Sequence, residues 1–313
     1  MARPRPFRFG IQLSSAPDAA QWSELARRAE DLGYSALLTP DHFGDQFAPI
    51  PALTAAAAAT STLRVGSLVL DNDFKHPAIV AKEAATLDVL SDGRVELGVG
   101  AGWMTTDYEA SGIPMDSPTV RVERLEEAID VMKGLFAGGR FSFAGTHYHI
   151  TELEGAPHPV QQPHPPLIVG GGGRRVLALA AREADIVGVN PNLKAGQVDA
   201  TAARDGLAPA VDRKVAHVRQ AAAGRYDDVE INFLILACVL TDDRTGVLET
   251  IAAPFGLAPH EMAEVPYVWT GSVDQICEQL IANRERWDAS YFVLQGTDAM
   301  AAAAPVVARL TGK

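Results

Sequence analysis

The chain has 313 residues, of which 47% are hydrophobic and 21% charged, and its formal net charge at pH 7 is −12. This composition is typical of a globular protein with enough apolar surface for a large core. The acidic balance argues against general binding of nucleic acids or anionic membranes. No apolar run approaches the ~18 residues of a membrane span, and the basic N-terminus leads into a strand pattern without an apolar leader, so we expect a cytoplasmic protein.

The two cysteines carry no recognisable chemistry. Cys238 lies in an apolar run and Cys277 on a helical pattern, and neither has a CxxC motif or metal-ligand spacing. Both are therefore interpreted as small core or surface residues.

Short apolar runs alternate with longer helical periods along the chain, which predicts a parallel sheet covered by helices. The predicted strands are Phe7–Leu13, Ser35–Thr39, Arg64–Leu70, Val95–Gly100, Leu167–Val169, Ile186–Val189, Glu230–Val239 and Tyr291–Leu294. The predicted helices are Trp22–Leu32, Pro51–Thr60, Pro77–Leu90, Val122–Phe136, Arg175–Arg182, Pro209–Ala223, two or more within Thr245–Trp287, and Ala299–Leu310. Eight such units predict one (β/α)8 barrel domain over residues 1–313, with extra helices before the eighth strand.

An irregular region of about residues 138–166 interrupts this alternation. It contains two short strand-like pieces, Phe141–Phe143 and Tyr148–Ile150, followed by a proline-rich run. We interpret it as a hairpin insertion with a lid or packing loop rather than a domain linker.

In a closed parallel barrel, the residues that follow each strand line the functional face. That rule selects Gln12–Ser14, Asp41 and His42, Asp71–Asp73, Ala101–Trp103, Gly170–Gly173, Asn190–Asn192 and Gln295.

The most specific of these features is the loop Gly170–Gly173, which lies directly between a strand and a helix. Four glycines let the backbone approach a ligand closely, and the following helix directs its free N–H groups at whatever lies there. Arg174 and Arg175 add positive charge in an acidic protein. The loop predicts a phosphate site; the alternative is a tight turn without a ligand. Its spacing matches neither a Walker nor a Rossmann motif.

Asp41 and His42 follow the second predicted strand. A histidine there can exchange a proton near neutral pH or hydrogen-bond a polar cofactor edge. Asp41 could orient that imidazole or accept from a ring N–H of a cofactor. The alternative is a helix-capping aspartate beside a surface histidine.

Two further patterns are weaker. The segment Gly98–Trp103 would let a flat ring lie against glycine backbone, with Trp103 packing on it or walling the pocket; a core tryptophan is the alternative. The polar run Asp71–Asp73 and the pair His147 and His149 have no convincing third ligand, so we predict no metal site.

Taken together, these residues resemble the bacterial luciferase-like monooxygenase family, and above all its actinobacterial branch of oxidoreductases that use the deazaflavin coenzyme F420. The resemblance covers nearly the whole chain. The stretches that carry it are Gly33–Phe43, Gly66–Leu70, Pro77–Asp88, Ser91–Trp103, Pro166–Gly173 and Ala180–Asp185.

The resemblance implies roles for particular residues. Asp41 and His42 match an Asp-His pair in which the histidine donates or accepts a proton. A bulge, often with a non-proline cis peptide that backs the cofactor ring, falls near Leu68 and Val69, and Asp71 lies where a side chain meets the cofactor. The remaining cofactor contacts that it implies are Ala101, Gly102, Trp103 and Thr106, and, around the phosphate, Gly172, Gly173, Arg175 and Val176.

One departure from the family pattern concerns a catalytic acid. Its sugar-phosphate dehydrogenases have a catalytic glutamate where this chain has Trp103, while Asp107 and Glu109 are displaced along the chain. This argues against sugar-phosphate oxidation and favours hydride transfer with another proton source, His42 or Tyr108. An apolar, aromatic substrate pocket is predicted from Phe43, Phe74, Trp103, Tyr108 and Trp269.

Three functions follow from the resemblance. The first is an F420-dependent oxidoreductase that transfers a hydride to or from a small organic substrate. The second is a monooxygenase that uses reduced flavin mononucleotide (FMN), and the third is a flavin-binding barrel without turnover. The family often dimerises through helices outside the barrel, so a homodimer is a further expectation.

Overall fold

The computed structural model describes residues 5–193, 196 and 199–313. Its strands are β1 (Arg8–Gln12), β2 (Ala36–Thr39), β3 (Arg64–Ser67), β4 (Leu70–Asp71), β5 (Val95–Gly100), β6 (Arg140–Ala144), β7 (His149–Glu154), β8 (Leu167–Gly171), β9 (Ile186–Val189), β10 (Glu230–Leu234), β11 (Ala237–Leu240), β12 (Val268–Gly271) and β13 (Ala289–Gln295). Its α-helices are α1 (Ala19–Asp31), α2 (Pro49–Ala59), α3 (Pro77–Leu90), α4 (Thr105–Ser111), α5 (Pro118–Phe136), α6 (Arg174–Glu183), α7 (Ala200–Asp205), α8 (Ala208–Ala222), α9 (Arg244–Ala252), α10 (Pro259–Ala263), α11 (Val273–Trp287), α12 (Gly296–Ala302) and α13 (Ala304–Leu310).

Within the described residues, eight parallel strands close into a barrel in the order β1, β2, β3, β5, β8, β9, β10 and β13, and β13 pairs again with β1. After a bulge, β4 continues the path of β3 along β5. Each crossover carries helix on the outside, so the predicted (β/α)8 barrel is confirmed.

The barrel has an inner and an outer apolar layer because successive strand residues point to opposite sides. Leu38, Ile168 and Val293 belong to the cluster that fills the interior. Leu37 and Phe292, their neighbours along the strands, pack outward into the larger core beneath the helices. This alternation makes the barrel a packed core with a functional face at one end.

The N-terminal ends of the strands are closed by buried charges. Arg8 pairs through Nη1 with Oε1 of Glu96 and through Nη2 with Oε2 of Glu230, each at 2.6 Å. Arg64 Nε lies 2.8 Å from Glu96 Oε1, and the Tyr291 hydroxyl donates to Glu96 Oε2 at 3.0 Å. Burial opposes ionisation of Glu96, but Arg8 and Arg64 outweigh it and hold the pKa of this carboxyl below its usual range.

The strand predictions fail at three places, and the first is Val268–Gly271, which forms β12 inside a region predicted to be helical. The third predicted strand is broken at Leu68 and Val69, whose connecting peptide bond is cis, as the family resemblance implies. The seventh is wrong beyond Leu234: the apolar run continues, but Ala237–Leu240 leaves the barrel and pairs with β12 in a separate two-stranded sheet. A continuous apolar run does not mark where a chain leaves one sheet for another.

The helix predictions need three additions. The short helices α4 and α7 were not predicted, and the closing helix divides into α12 and α13, since Pro305 lies in the first turn of the second one. The predicted capping box of Ser272 and Gln275 is confirmed at the start of α11. No helix in the described part of the chain is both long and apolar enough to cross a membrane.

The insertion forms the predicted antiparallel hairpin, β6 with β7. Glu127 of α5 accepts hydrogen bonds from the backbone N–H groups of Thr146, His147 and Tyr148 at 2.7, 2.8 and 3.1 Å. These bonds tie the hairpin turn to α5, which supports the packing-loop interpretation over a lid.

Candidate active site

The loops that follow β2, β4 and β5 are bonded to one another at the C-terminal end of the barrel. The central contact joins His42 Nδ1 to Asp107 Oδ2 at 2.6 Å. The other oxygen of Asp107, Oδ1, accepts from the Phe43 backbone N–H at 3.2 Å. The Asp107 side chain is only 6% exposed, whereas that of His42 is 21% exposed. A buried carboxylate thus holds a histidine that reaches the surface at the C-terminal end of the barrel. This end, with the loops after the strands, is called the mouth.

Asp107, rather than Asp41, contacts the imidazole. Asp41 Oδ2 instead accepts from the backbone N–H of Asp71 at 3.1 Å and so joins the loop after β2 to the loop after β4. Burial raises the pKa of the Asp41 carboxyl. Of the roles open to Asp41 in the sequence, orientation of His42 is therefore wrong, and a role at the ring of a cofactor stays a prediction.

Asp71 is the centre of a second group of polar side chains. The Tyr108 hydroxyl lies 2.9 Å from Asp71 Oδ2 and 3.0 Å from Asp73 Oδ2, and Arg124 of α5 pairs with Asp73 Oδ1 at 2.6 Å. Burial raises the pKa of Asp71 to about 6, although the Asp73 N–H and the Tyr108 hydroxyl both favour its charged form. Burial and the two carboxylates raise the pKa of Tyr108.

A glycine is required at position 102 for Asp71 and Tyr108 to lie where they do. Its φ is +71°, and a Cβ there would overlap the Tyr108 hydroxyl and the Asp71 carboxylate. Arg121, which is 6% exposed, donates from Nη1 to the carbonyl oxygens of Ala101 and Gly102 at 2.9 and 2.5 Å. Helix α5 therefore holds the backbone of this loop through Arg121.

Gly98 and Gly100 of β5 allow close packing within the barrel and do not border an open space for a cofactor ring. A Cβ on Gly98 would overlap the Ser67 carbonyl, and a Cβ on Gly100 would lie 2.7 Å from a methyl group of Val69. The space above these glycines is filled by the bulge after β3. The interpretation that they let a flat ring lie directly on the backbone is wrong at these two positions.

The bulge itself faces the barrel mouth. Leu68 and Val69 are partly buried and pack against the interior apolar cluster. Gln12, at the end of β1, donates from Nε2 to the Leu68 carbonyl at 2.6 Å. This amide contact fixes an apolar surface at the upper end of the barrel interior.

Aromatic rings surround the His42 and Asp107 pair. Trp103 stands perpendicular to the His42 ring at a centroid distance of 5.6 Å. Phe74 lies 5.0 Å from Phe43 and 5.7 Å from Tyr108, and Phe43 is 51% exposed. Four of the predicted pocket residues therefore lie around one mouth.

Trp269 does not belong to that pocket. It is fully buried and packs edge-on against Phe9 and Phe292 on the outer surface of the barrel. The prediction was wrong because β12 lies outside the barrel, so the residues of β12 do not point toward the mouth.

The glycine loop precedes α6, as predicted. A Cβ on Gly172 would overlap the backbone of Pro191 and Asn192, whereas the space beside Gly173 is open, with nothing within 4 Å. No side chain caps the N-terminus of α6. Arg175 lies on the first turn and pairs with Glu123 of α5 at 2.8 Å.

The remaining predicted contacts lie on the same loops. Val176 packs beside Gly171 and is half-buried. Thr106 is exposed on the first turn of α4, and Ala101 is half-buried. No group of three or more His, Cys, Asp or Glu side chains in the described ranges is arranged to hold a metal ion.

The sequence model of the luciferase-like monooxygenase family matches residues 5–306. The chain belongs to this family. Among its relatives, the FMNH2-dependent dimethylsulfone monooxygenase of Pseudomonas putida is 28% identical over 255 residues, which are 78% of this chain and 67% of that protein. The F420-dependent glucose-6-phosphate dehydrogenase of Microbacterium testaceum is 31% identical over 189 residues, 58% of this chain and 55% of that protein. The chain thus spans little more than half the length of the second relative.

Solved structures of the luciferase-like fold match almost the whole chain. The coenzyme F420-dependent tetrahydromethanopterin reductase of Methanopyrus kandleri gives a TM-score of 0.77 at 19% identity and covers 98% of this chain and 100% of that one. An F420-dependent secondary alcohol dehydrogenase gives 0.76 at 19% identity and covers 97% and 99%. At this identity the likeness shows the fold alone.

The roles of Asp107, Arg121 and Arg124 are not predicted by the sequence. Asp107 contacts a residue 65 positions away, and no local pattern reports such a pairing. The two arginines lie three positions apart on α5, a spacing that places them on one face of the helix. This spacing is visible in the sequence. It does not distinguish two arginines that bind neighbouring loops from an exposed basic pair on a helix surface.

Proposed function

We propose that this luciferase-like protein is an F420-dependent oxidoreductase that transfers a hydride between the deazaflavin and a small, apolar or aromatic organic substrate. The observation that carries the proposal is the hydrogen-bonded pair of His42 and Asp107 in an aromatic mouth. The F420-dependent relative supports the choice of cofactor.

The residues of the mouth fit such a cofactor. The open space beside Gly173 and the uncapped N-terminus of α6 suit a phosphate, with Gly172, Arg175 and Val176 beside it. Leu68 and Val69 offer an apolar surface for a flat ring, and Asp41 and Asp71 offer polar groups for its edge. Ala101, Gly102, Trp103 and Thr106 would complete the wall.

When bound, the deazaflavin supplies or takes up a hydride, so that two electrons move together. A carbonyl, imine or activated alkene that receives a hydride also needs a proton, and His42 would donate it; in the reverse direction His42 would accept it. Phe43, Phe74 and Trp103 would orient an apolar substrate and exclude water from the reacting atoms. Tyr108 is less suited to supply the proton, since its hydroxyl is engaged by Asp71 and Asp73.

The second candidate is a monooxygenase that uses reduced FMN. It is favoured by the Pseudomonas putida relative, whose match extends over 78% of this chain. The two cofactors differ in their reaction with oxygen, because reduced deazaflavin reacts poorly with it and reduced FMN reacts readily.

Binding and oxygen consumption distinguish the candidates. The purified protein is titrated with F420 and with FMN, and oxygen uptake is followed with each reduced cofactor in the absence of substrate. We expect tight binding of F420 and no oxygen uptake above the rate of the free cofactor. Tight FMN binding with rapid enzyme-dependent oxygen uptake would overturn the proposal in favour of the monooxygenase.

His42→Ala tests whether the barrel turns over at all. With F420 and a panel of ketones, imines and activated alkenes, we expect turnover to fall by roughly 10²-fold or more while F420 binding is retained. Binding without turnover in the wild-type protein for every compound would instead support a non-catalytic barrel.

A further inference from the structure

We infer that Asp107 is a positioning residue that fixes the tautomer and orientation of His42; the inference rests on the proposed function for its kinetic consequence. In the sequence Asp107 is displaced from the acid position of the sugar-phosphate dehydrogenases, yet its Oδ2 lies 2.6 Å from Nδ1 of His42. It does not reach the reacting atoms and acts through the imidazole.

The carboxylate is itself held in place from two sides. Its Oδ1 accepts from the Phe43 N–H at 3.2 Å, one residue beyond the histidine that Oδ2 contacts. Asp107 lies in the first turn of α4, and its own backbone N–H donates to the Met104 carbonyl at 3.0 Å. Because its side chain is only 6% exposed, water does not compete for these bonds.

This geometry decides which nitrogen of His42 carries the proton. An ionised carboxylate only accepts hydrogen bonds, so the proton between Asp107 and His42 belongs to Nδ1. Nε2 is then the nitrogen left to accept a proton from a substrate or, once protonated, to donate one. A carboxylate behind the ring also stabilises the imidazolium that forms when Nε2 accepts a proton.

Trp103 restricts the ring further. It packs edge-to-face on the imidazole at 5.6 Å and 89°, so rotation of the ring away from Asp107 would break a packing contact as well as a hydrogen bond. Trp103 thus restrains the His42 ring from the side that Asp107 does not contact.

The substitution Asp107→Asn separates positioning from simple packing. Asparagine has nearly the same shape, and its Oδ1 can still accept from Phe43. Its amide NH2 faces Nδ1 as a donor, which favours the tautomer with the proton on Nε2. We expect kcat to fall by roughly 10²-fold or more, with F420 binding and KM changed by less than about twofold.

Two comparisons complete the kinetic test. Glu109→Gln removes a charge from the exposed side of the same helix and should leave kcat unchanged. In a double-mutant cycle, Asp107→Asn should have no further effect in the His42→Ala background, since Asp107 acts only through that ring. Equal losses with and without His42 would overturn the inference.

A spectroscopic measurement tests the inference without turnover. In ¹⁵N NMR of the cofactor-free protein at a pH where the ring is neutral, we expect the His42 proton on Nδ1 in the wild type and on Nε2 in Asp107→Asn. A wild-type proton on Nε2, or an unchanged tautomer in the variant, would overturn the inference. If the variant does not fold, the wild-type spectrum still decides, and none of these outcomes depends on whether F420 is the cofactor.

Discussion

Asp71 is a partly buried acid whose ionisation the fold disfavours. Burial is the main cause, and the neighbouring Asp73 and Asp41 carboxylates add to it. Such a group stabilises the fold while it is protonated, below its ordinary pKa of 3.8, and loses that contribution as the pH rises through about 6. The loops after β2 and β4 therefore become less stable toward neutral pH.

Asp71→Asn tests this linkage. The amide oxygen can still accept from Tyr108 and from the Asp73 N–H, but it cannot ionise. We expect the free energy of unfolding of the variant to rise relative to the wild type between pH 4 and pH 7, as measured by urea unfolding at both values. Asp228→Asn, at an exposed aspartate, is the matched control and should show no such trend. A difference independent of pH would contradict the assignment.

At the scale of elements, α5 organises the mouth from outside the barrel. Arg121 holds the loop after β5, Arg124 holds Asp73, and Glu127 holds the turn of the hairpin. The three contacts recur at spacings of three residues along the helix, so one helical face anchors three separate segments. The hairpin is in turn joined to the mouth, because Asn72 Nδ2 donates to the Tyr148 hydroxyl at 3.1 Å.

Glu127→Gln should loosen the hairpin turn selectively. The three backbone N–H groups outweigh burial and lower the pKa of Glu127, so its ionised form is the one that binds the turn. We expect faster hydrogen exchange at the amides of Thr146, His147 and Tyr148, with the barrel amides unchanged. Glu126→Gln, which removes the neighbouring acid from an exposed pair with Arg182, is the control. Unchanged exchange at the turn would show that the apolar contacts of the hairpin suffice.

Periodicity and turn residues in the sequence predict the regular elements of the barrel well. The strands Val95–Gly100 and Ile186–Val189 and the helix Pro77–Leu90 lie where predicted, because their apolar patterns are bounded by glycine, proline or charged residues. The same signals fail after Leu234, where the apolar pattern continues although the chain pairs with a different strand. At the site, the residues after each strand could be predicted, but the pairing of His42 with Asp107 could not, since it depends on how α4 folds back over the loop after β2.

On the scale of the whole molecule, the barrel separates its two ends. The N-terminal ends of the strands are joined by Arg8, Arg64, Glu96 and Glu230, and the C-terminal ends carry the polar and aromatic groups of the mouth. The residues of one group are not bonded to those of the other within the described part of the chain. We therefore expect substitutions among the charged groups at the N-terminal ends to change the stability of the fold without changing the groups at the mouth.

Glu96→Gln tests this separation. The Glu96 side chain is 2% exposed, and its loss leaves Arg8 and Arg64 short of a buried countercharge, which we expect to cost about 3 kcal/mol in the free energy of unfolding. Glu126→Gln, in its exposed pair, should cost less than about 1 kcal/mol. Cofactor titration of the folded Glu96→Gln protein should match the wild type; a weakened affinity would mean that the two ends are coupled.

The barrel interior is filled by apolar side chains and its base is closed by charged pairs, so a ligand can approach only from the C-terminal end. Under the proposed function, the cofactor and the substrate would share that one entrance, beside Phe43, Phe74 and Trp103. The molecule that lies deeper would then bind first and leave last, which predicts an ordered kinetic mechanism.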